Sequence, residues 1–187
     1  MKRPAANADP IIQLARAYHF AAEKHVGHRR KGEAAEPYMN HLTEVAELAA
    51  AASAGDLDIV MGAVLHDTVE DTDASLEELG AAFGAKIAAL VAEVTDDKRL
   101  PKLERKALQV AHAPNASHGA KIIKLADKIS NLRALTASPP AGWPRERCEE
   151  YVAWAQQVVE GCRAASPWLA ARFDEAVEAY RAVSPRR

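Results

Sequence analysis

The chain has 187 residues, of which 49% are hydrophobic and 27% are charged, and its 24 Lys and Arg against 26 Asp and Glu give a formal net charge of −2. This composition is typical of a soluble globular protein with one sizeable core, and the charge balance argues against a general electrostatic affinity for nucleic acid. The sequence has no apolar stretch long enough to span a bilayer and no apolar signal core at its start, so we expect a cytoplasmic protein without a membrane partner.

The two cysteines give the same indication of compartment. Cys148 and Cys162 are predicted to lie on one helix, where a rise of 1.5 Å per residue separates them by about 21 Å. That distance is far beyond disulfide reach, so we expect two free thiols in a reducing compartment.

Helix-forming residues dominate the chain, and period-two alternation is almost absent. Ala, Leu, Glu, Lys and Arg prevail, and aromatic residues make up only 5%. We therefore predict an all-α fold of roughly eight to ten helices, as a single domain over residues 1–187 with its core at about 9–183. The first helix should begin with Asp9 as N-cap and Pro10 in the first turn, and end near Gly27. Its predicted apolar side consists of Ile11, Leu14, Ala15, Tyr18 and Ala22, with His25 as a further candidate.

A polar loop over residues 28–39 follows, with three consecutive cations at Arg29, Arg30 and Lys31. A solvated charge run is one interpretation. The other is an anion clamp, in which Arg presents a planar fork to phosphate or a base edge and Lys a mobile point charge.

The second and third helices are predicted to deliver metal-ligand residues. Asn40 should cap a helix that begins with His41 and continues through Val45 and Leu48. The third helix, from Leu57 to about His66, has a nearly continuous apolar face, so it should be buried and hold His66 and Asp67 rigidly.

Further helices are predicted downstream from their caps and apolar spacing. Ser75 and Glu78 form a capping-box pattern before the next one. The predicted helices cover residues 76–83, 85–95, 102–111, 120–135, a segment opened by Pro144 and ended near Gly161, and a last one from Pro167 with Leu169, Phe173, Val177 and Tyr180 on its core face.

Four side chains on three of these helices form a candidate metal-ligand set. They are His41, His66, Asp67 and Asp127, and Asp127 is expected near a buried stripe, where a carboxylate is costly unless it is paired or bound to metal. A mixed nitrogen and oxygen shell suits Mn²⁺, Fe²⁺ or Zn²⁺ without choosing among them. The neighbouring carboxylates of Glu70 and Asp71 need not bind metal and could handle protons or water.

Four ordered motifs resemble the HD hydrolase domain of RelA/SpoT-type proteins, and more closely the stand-alone small alarmone hydrolases, a group that includes the metazoan SpoT homologues. The motifs are Arg30-Lys31 through Pro37-Tyr38-Met39-Asn40-His41, His66-Asp67-Thr68-Val69-Glu70-Asp71-Thr72, Glu93-Val94-Thr95-Asp96-Asp97-Lys98, and Lys124-Leu125-Ala126-Asp127-Lys128-Ile129-Ser130-Asn131-Leu132-Arg133. The similarity also covers Leu103-Glu104-Arg105-Lys106 and a Trp-rich penultimate helix, and so nearly the whole chain.

The resemblance implies a manganese-dependent hydrolase that removes the 3′-pyrophosphate from ppGpp or pppGpp and leaves GDP or GTP. Because 187 residues leave no room for a synthetase domain, we expect hydrolysis only. It implies His41, His66, Asp67 and Asp127 as metal ligands and Glu70 and Asp71 as the catalytic pair. The substrate contacts that it implies are Arg30, Lys31, Tyr38, Lys98, Arg105, Asn131 and Tyr151.

Two departures and two alternatives accompany this interpretation. The loop from Gly32 to Glu36 is longer than in the long Rel enzymes, which could shift the clamp by one residue, and Leu42 follows His41 where the family often has Pro. The same metal chemistry could instead act on another phosphorylated nucleotide such as NADPH, or the chain could be a nucleotide sensor without turnover. The sequence does not fix the oligomeric state.

Overall fold

The computed structural model of the protein describes residues 9–183. In this range the regular structure is helical, and only two isolated β-bridges occur, Arg29 with Pro37 and Gly32 with Pro140, so the all-α prediction is confirmed. The helices are α1 Pro10–Lys24, α2 Met39–Ala52, α3 Leu57–Leu65, α4 Thr68–Asp71, α5 Leu76–Phe83, α6 Ala85–Val94, α7 Lys102–His112, α8 His118–Ala137, α9 Arg145–Glu160 and α10 Pro167–Val183, with short 3₁₀ turns at Ala113–Asn115 and Arg163–Ala165.

Helix α8 is the centre of the molecule, because it packs against α2, α3, α6, α9 and α10. Its apolar side chains, such as Ile122, Leu125 and Ile129, are fully buried. Removal of apolar side chains from water is the main contribution to the stability of a helical bundle. The buried position of α8 also means that any polar residue on it must find a partner inside the protein.

Helix α3 is buried over all but its first two residues, from Ile59 to Leu65, as its apolar run predicted. It crosses α6 closely at Gly62, where a Cβ atom would lie 2.7 Å from Leu90 Cδ2. This tight packing holds the C-terminal end of α3 in place, and His66 directly follows that end.

Several predicted helix boundaries are confirmed, and their caps are the predicted ones. The Asp9 side chain accepts a hydrogen bond from the Ile11 amide, and Ser75 accepts one from the Glu78 amide. The predicted core face of the last helix is buried as expected, at Leu169, Phe173, Val177 and Tyr180.

Three local predictions are wrong. Asn40 does not cap α2, because that helix already begins at Met39 and Tyr38 occupies the cap position. The predicted apolar side of α1 is wrong at Ile11, which is 78% exposed, and at Ala15 and Ala22, which are also exposed, whereas Leu14 and Tyr18 pack against the core and His25 is buried as predicted. The fully buried residues of α1 are Ala17 and Ala21. Cys162 lies beyond the end of α9, although it and Cys148 are free thiols as predicted, and both are buried.

Within residues 9–183, none of the helices combines the length and the hydropathy needed to cross a membrane. The predicted domain limits of 1–187 extend past the described residues and stay a prediction. The same is true of the expected compartment and of the expected absence of a nucleic-acid partner.

Candidate metal centre and substrate pocket

Two buried imidazoles face two carboxylates where α2, α3 and α8 meet. His41 lies in the first turn of α2, and its Nε2 atom is 3.4 Å from Asp67 Oδ2 and 3.3 Å from Asp127 Oδ1. His66 follows α3, and its Nε2 atom is 3.1 Å from Asp67 Oδ2 and 3.8 Å from Asp127 Oδ1. The structure therefore brings together all four residues of the predicted ligand set.

The far side of each imidazole ring is held by the protein. His66 Nδ1 lies 2.8 Å from the Ala63 carbonyl oxygen, which can only accept, so Nδ1 carries the proton. His41 Nδ1 lies 2.9 Å from Ser130 Oγ. The His66 Nε2 atom is buried and makes no hydrogen bond to any described residue. A lone pair at such a buried nitrogen is what a metal ligand presents.

The charges of the four residues call for a cation between them. Burial opposes protonation of His66, but the Asp67 and Asp127 carboxylates outweigh burial and raise the His66 pKa to about 10. Burial likewise opposes ionisation of Asp67 and Asp127, yet the pKa of each stays well below its usual range, mainly through His66 for Asp67 and Lys128 for Asp127. A divalent cation would supply this positive charge directly and leave the imidazoles neutral.

The donor geometry also fits a metal ion. One ligand atom each from His41, His66 and Asp127 can lie within 4.8 Å of the other two. Asp67 Oδ2 also lies within 3.4 Å of the Nε2 atom of each imidazole. Nitrogen and carboxylate donors without a thiolate suit several divalent ions, so this shell is a candidate metal site that does not by itself select manganese.

Two residues of α8 orient the Asp127 carboxylate. The Asn131 side chain, one turn later, donates a hydrogen bond to Oδ1. Lys128 Nζ lies 2.7 Å from Oδ2. Burial opposes the charge on Lys128, but Asp127 holds its pKa above the usual range, so the ion pair is maintained. Asn131, predicted as a substrate contact, thus also fixes the direction of the neighbouring carboxylate.

Helix α4 presents Glu70 and Asp71 one turn after the Asp67 carboxylate. Four residues are too few for a helical hydrophobic period, which is why the sequence did not predict this helix. Glu70 Oε2 accepts a hydrogen bond of 3.0 Å from the Asp96 amide. Burial nevertheless raises the Glu70 pKa to about 7, with the nearby negative charges adding to the effect. A carboxylate with such a pKa can exchange a proton near neutral pH.

The predicted cations Lys98 and Arg105 lie beside this carboxylate pair. Lys98 Nζ forms an ion pair with Asp71 Oδ1. Arg105 Nη1 lies 3.8 Å from Glu70 Oε1 and equally far from Asp96 Oδ2. Neither cation lines the adjoining pocket, so their contacts with the site are those with the Asp71 and Glu70 carboxylates.

A pocket of about 520 Å³ opens next to Asp71, within the size range of small-molecule sites. Its basic wall is the loop of residues 28–37, which approaches the chain after α8 closely enough that a Cβ atom on Gly32 would lie 2.3 Å from the Ser138 carbonyl oxygen. Burial raises the pKa of Tyr151 to about 12, so its hydroxyl stays a donor. The predicted substrate contacts that line this pocket are Arg30, Lys31, Tyr38, Asn131 and Tyr151.

Sequence reasoning missed several residues that support the site. His25, predicted only as a candidate for the apolar side of α1, is buried and stacks on Tyr38, with ring centroids 5.0 Å apart. Trp143 lines the pocket beside Tyr151. For Ser130 a signal was available, because it lies three residues after Asp127 and therefore on the same face of α8.

Comparison with known proteins agrees with this geometry. The HD domain family matches residues 17–156 of the chain. A human relative, guanosine-3′,5′-bis(diphosphate) 3′-pyrophosphohydrolase MESH1, is 53% identical over 150 residues, covering 80% of this chain and 84% of the relative. The Danio rerio protein of the same name is 49% identical over 158 residues, covering 84% of this chain and 88% of the relative.

A solved structure described as a metazoan ortholog of SpoT that hydrolyzes ppGpp superposes with a TM-score of 0.86 at 41% identity, covering 95% of this chain and 97% of that one. The resemblance inferred from the four motifs is thereby confirmed. The chain belongs to the HD domain family of hydrolases.

Proposed function

We propose that the protein is a metal-dependent (p)ppGpp 3′-pyrophosphohydrolase that releases pyrophosphate and leaves GDP or GTP. One observation carries the proposal. The imidazoles of His41 and His66 direct Nε2 toward the Asp67 and Asp127 carboxylates, one helical turn before the carboxylate pair of Glu70 and Asp71. The relatives named for this activity align with the chain over the segments that contain the two His and two Asp residues and the Glu70 and Asp71 pair.

We assign Mn²⁺ to the site held by His41, His66, Asp67 and Asp127, with Fe²⁺ and Zn²⁺ as the ions to compare. When bound, the ion would lower the pKa of a water molecule and polarise a phosphoryl oxygen. The ion would also replace the proton that the two carboxylates otherwise hold on His66.

Glu70 is the proposed general base. Its pKa of about 7 allows it to take a proton from the attacking water at neutral pH, and the Asp96 amide holds Oε2 in a fixed direction. The water oxygen forms a bond to the phosphorus attached to the ribose 3′ oxygen, and the bond from that phosphorus to the 3′ oxygen breaks. The proton held by Glu70 then returns to the 3′ oxygen, which leaves as the hydroxyl of GDP or GTP.

Asp71 has a positioning and electrostatic part in this scheme. Its Oδ1 atom is paired with Lys98 and its Oδ2 atom contacts the Tyr38 hydroxyl, so both oxygens of this pocket-lining carboxylate have a partner. The nucleotide would occupy the pocket beside Asp71, with Arg30 and Lys31 facing its anionic groups and Asn131 and Tyr151 donating hydrogen bonds.

Incubation of the pure protein with ppGpp and Mn²⁺ tests the function, with EDTA and the Glu70→Gln variant as controls and the nucleotides resolved by ion exchange. We expect GDP and pyrophosphate in equal amounts, only with metal, and formed at least about a hundredfold more slowly by Glu70→Gln. Intact ppGpp after long incubation with metal would overturn the proposal. A parallel reaction with NADPH tests the alternative substrate, and faster turnover of NADPH would replace ppGpp by that nucleotide. Tight nucleotide binding without product would instead identify a sensor.

A further inference from the structure

A hydrogen-bonded chain of four side chains leads from the protein surface to His41. His41 Nδ1 is 2.9 Å from Ser130 Oγ, which is 2.6 Å from Glu44 Oε2, and Glu44 Oε1 is 2.8 Å from Arg133 Nη1. His41 and Glu44 belong to α2, whereas Ser130 and Arg133 belong to α8. The chain therefore crosses between the two helices three times.

The direction of each hydrogen bond in this chain follows from the chemistry of the groups. Glu44 is paired with a guanidinium, and a carboxylate in such a pair can only accept. The single hydrogen of the Ser130 hydroxyl is consequently donated to Glu44. Ser130 Oγ must then accept from His41 Nδ1, so the proton of the imidazole lies on Nδ1 and the lone pair on Nε2.

We infer that Ser130 and Glu44 are positioning residues of the metal centre, which fix the tautomer and the ring orientation of His41. The inference rests on the proposed metal site, because only a metal ligand at His41 needs the lone pair to lie on Nε2. A carboxylate acting through a hydroxyl also makes Nε2 a stronger donor, and loss of such an outer partner typically weakens metal binding about 10-fold to 100-fold.

The helix register explains why these two residues are available. Asp127, Ser130 and Arg133 follow one another at intervals of three on α8, and His41 and Glu44 have the same interval on α2. Residues three apart share a helix face. The contact between α2 and α8 that places His41 opposite Asp127 therefore also places Ser130 and Glu44 behind the imidazole.

Burial distinguishes this chain from ordinary surface pairs. His41 and Ser130 are 2% and 1% exposed, so water cannot replace the hydroxyl as the partner of Nδ1 without a rearrangement. The Arg133 side chain is 45% exposed, so its pair with Glu44 is the part most easily replaced by water. We therefore expect the effect of mutation to decrease from Ser130 to Glu44 to Arg133.

The test measures metal binding by the protein without substrate. Mn²⁺ is titrated into the metal-free wild type and the variants Ser130→Ala, Glu44→Gln and Arg133→Met, and free Mn²⁺ is followed by electron paramagnetic resonance. We expect the dissociation constant to rise 10-fold to 100-fold for Ser130→Ala, less for Glu44→Gln and least for Arg133→Met. The matched controls are Ser53→Ala, whose hydroxyl oxygen is buried without a hydrogen-bond partner among the described residues, and Glu47→Gln on the exposed side of α2.

A spectroscopic readout separates positioning of the ring from general destabilisation. In the wild type loaded with Zn²⁺, the Nδ1 proton of His41 should give a downfield resonance that is protected from solvent exchange. Ser130→Ala should lose both properties, and Glu44→Gln, which keeps the shape of the side chain, should shift the resonance. Turnover of both variants should recover in part at saturating Mn²⁺.

The outcomes also separate this inference from the proposed function. A wild type that binds neither Mn²⁺ nor Zn²⁺ would overturn the metal site and the proposed function together. A wild type that binds metal, with Ser130→Ala and Glu44→Gln equal to it in affinity and in the His41 resonance, would overturn only the positioning role. If Ser130→Ala does not fold, Glu44→Gln and the resonance of its His41 decide the question.

Discussion

The Tyr38 hydroxyl donates a hydrogen bond of 2.6 Å to Asp67 Oδ2, on the carboxylate that also contacts both imidazoles. The same hydroxyl lies 3.1 Å from Asp71 Oδ2. Burial and the two carboxylates raise the pKa of Tyr38 far above its usual range, so the group stays a donor. Tyr38 therefore connects a proposed metal ligand to a proposed catalytic carboxylate, in addition to lining the pocket.

This contact predicts that Tyr38→Phe weakens metal binding several-fold and lowers kcat about tenfold or more, because two carboxylates lose a shared donor while the ring remains stacked on His25. Metal titration and steady-state kinetics on ppGpp would measure both effects. Tyr18→Phe on α1 is the matched control. A rise in KM alone, with kcat and metal affinity unchanged, would mean that the hydroxyl contacts only the substrate.

Glu70→Gln should separate metal binding from turnover. The amide keeps the size of the side chain but cannot accept a proton, and loss of general-base assistance costs about 10²–10⁴ in rate. We expect unchanged metal content by elemental analysis and a kcat lower by at least about a hundredfold. Glu77→Gln, on the exposed face of α5, should behave as wild type. Metal loss in Glu70→Gln would make Glu70 a ligand instead.

The raised pKa of Glu70 predicts the acid side of the pH profile. The carboxyl changes from a usual value of 4.5 to about 7, so it holds its proton until the pH passes that value. As a base it must be ionised, so kcat/KM should fall about tenfold per pH unit below the pKa. A bound cation lowers the carboxyl pKa and so moves this limb to lower pH.

A pH profile of the wild type and of the residual activity of Glu70→Gln checks the assignment, with metal kept saturating at each pH. We expect the acid limb at or below about pH 7 in the wild type and its disappearance in the variant. The same limb in both proteins would assign it to another group.

Most of the fold was predictable because long amphipathic helices carry their own signal. The apolar run before His66 and the spacing of Leu169, Phe173 and Val177 predicted buried helix faces that the structure has. Helix α1 was misread because its buried residues are the small Ala17 and Ala21, while the larger Ile11 faces solvent. The distance between two packed helices depends on tertiary structure, so it cannot be predicted from the spacing of hydrophobic residues in one helix.

The motif residues of the candidate site could be predicted from the sequence, but the residues that hold them in place could not. The positions of His41, His66, Asp67 and Asp127 depend on residue type and spacing. The contacts of Ser130 with His41 and of the Asp96 amide with Glu70 join segments that are 89 and 26 residues apart. Such contacts depend on how the helices pack, so the sequence could at most place Ser130 on the same face of α8 as Asp127, and its partner became visible only in the structure.

Asp127→Asn should lower the metal content itself. The amide keeps the volume of the side chain but removes the negative charge that offsets burial of Lys128 and holds the cation. We expect metal stoichiometry well below that of the wild type after dialysis, together with a lower unfolding temperature. Asp58→Asn, which removes a carboxylate from the first turn of α3 and its pair with the exposed Lys86, is the control. Full metal occupancy in Asp127→Asn would remove Asp127 from the ligand set.

The basic loop should contribute to substrate affinity rather than to turnover. Arg30 and Lys31 line the pocket away from the imidazoles, so their charges should act on the bound nucleotide in both ground and transition states. Loss of such uniform binding raises KM with little change in kcat. We expect Arg30→Met and Lys31→Met to raise KM for ppGpp about tenfold each and to weaken its dependence on salt.

Lys86→Met, which removes an exposed cation from α6, controls for the change in net charge, and metal affinity should be unchanged in all three variants. The longer loop could place Arg29 rather than Lys31 against the nucleotide, because Arg29 also lines the pocket. Arg29→Met is therefore measured beside the other two. A larger rise in KM for Arg29→Met than for Lys31→Met would show that the clamp consists of Arg29 and Arg30. If KM rises in none of the three variants, the nucleotide binds elsewhere.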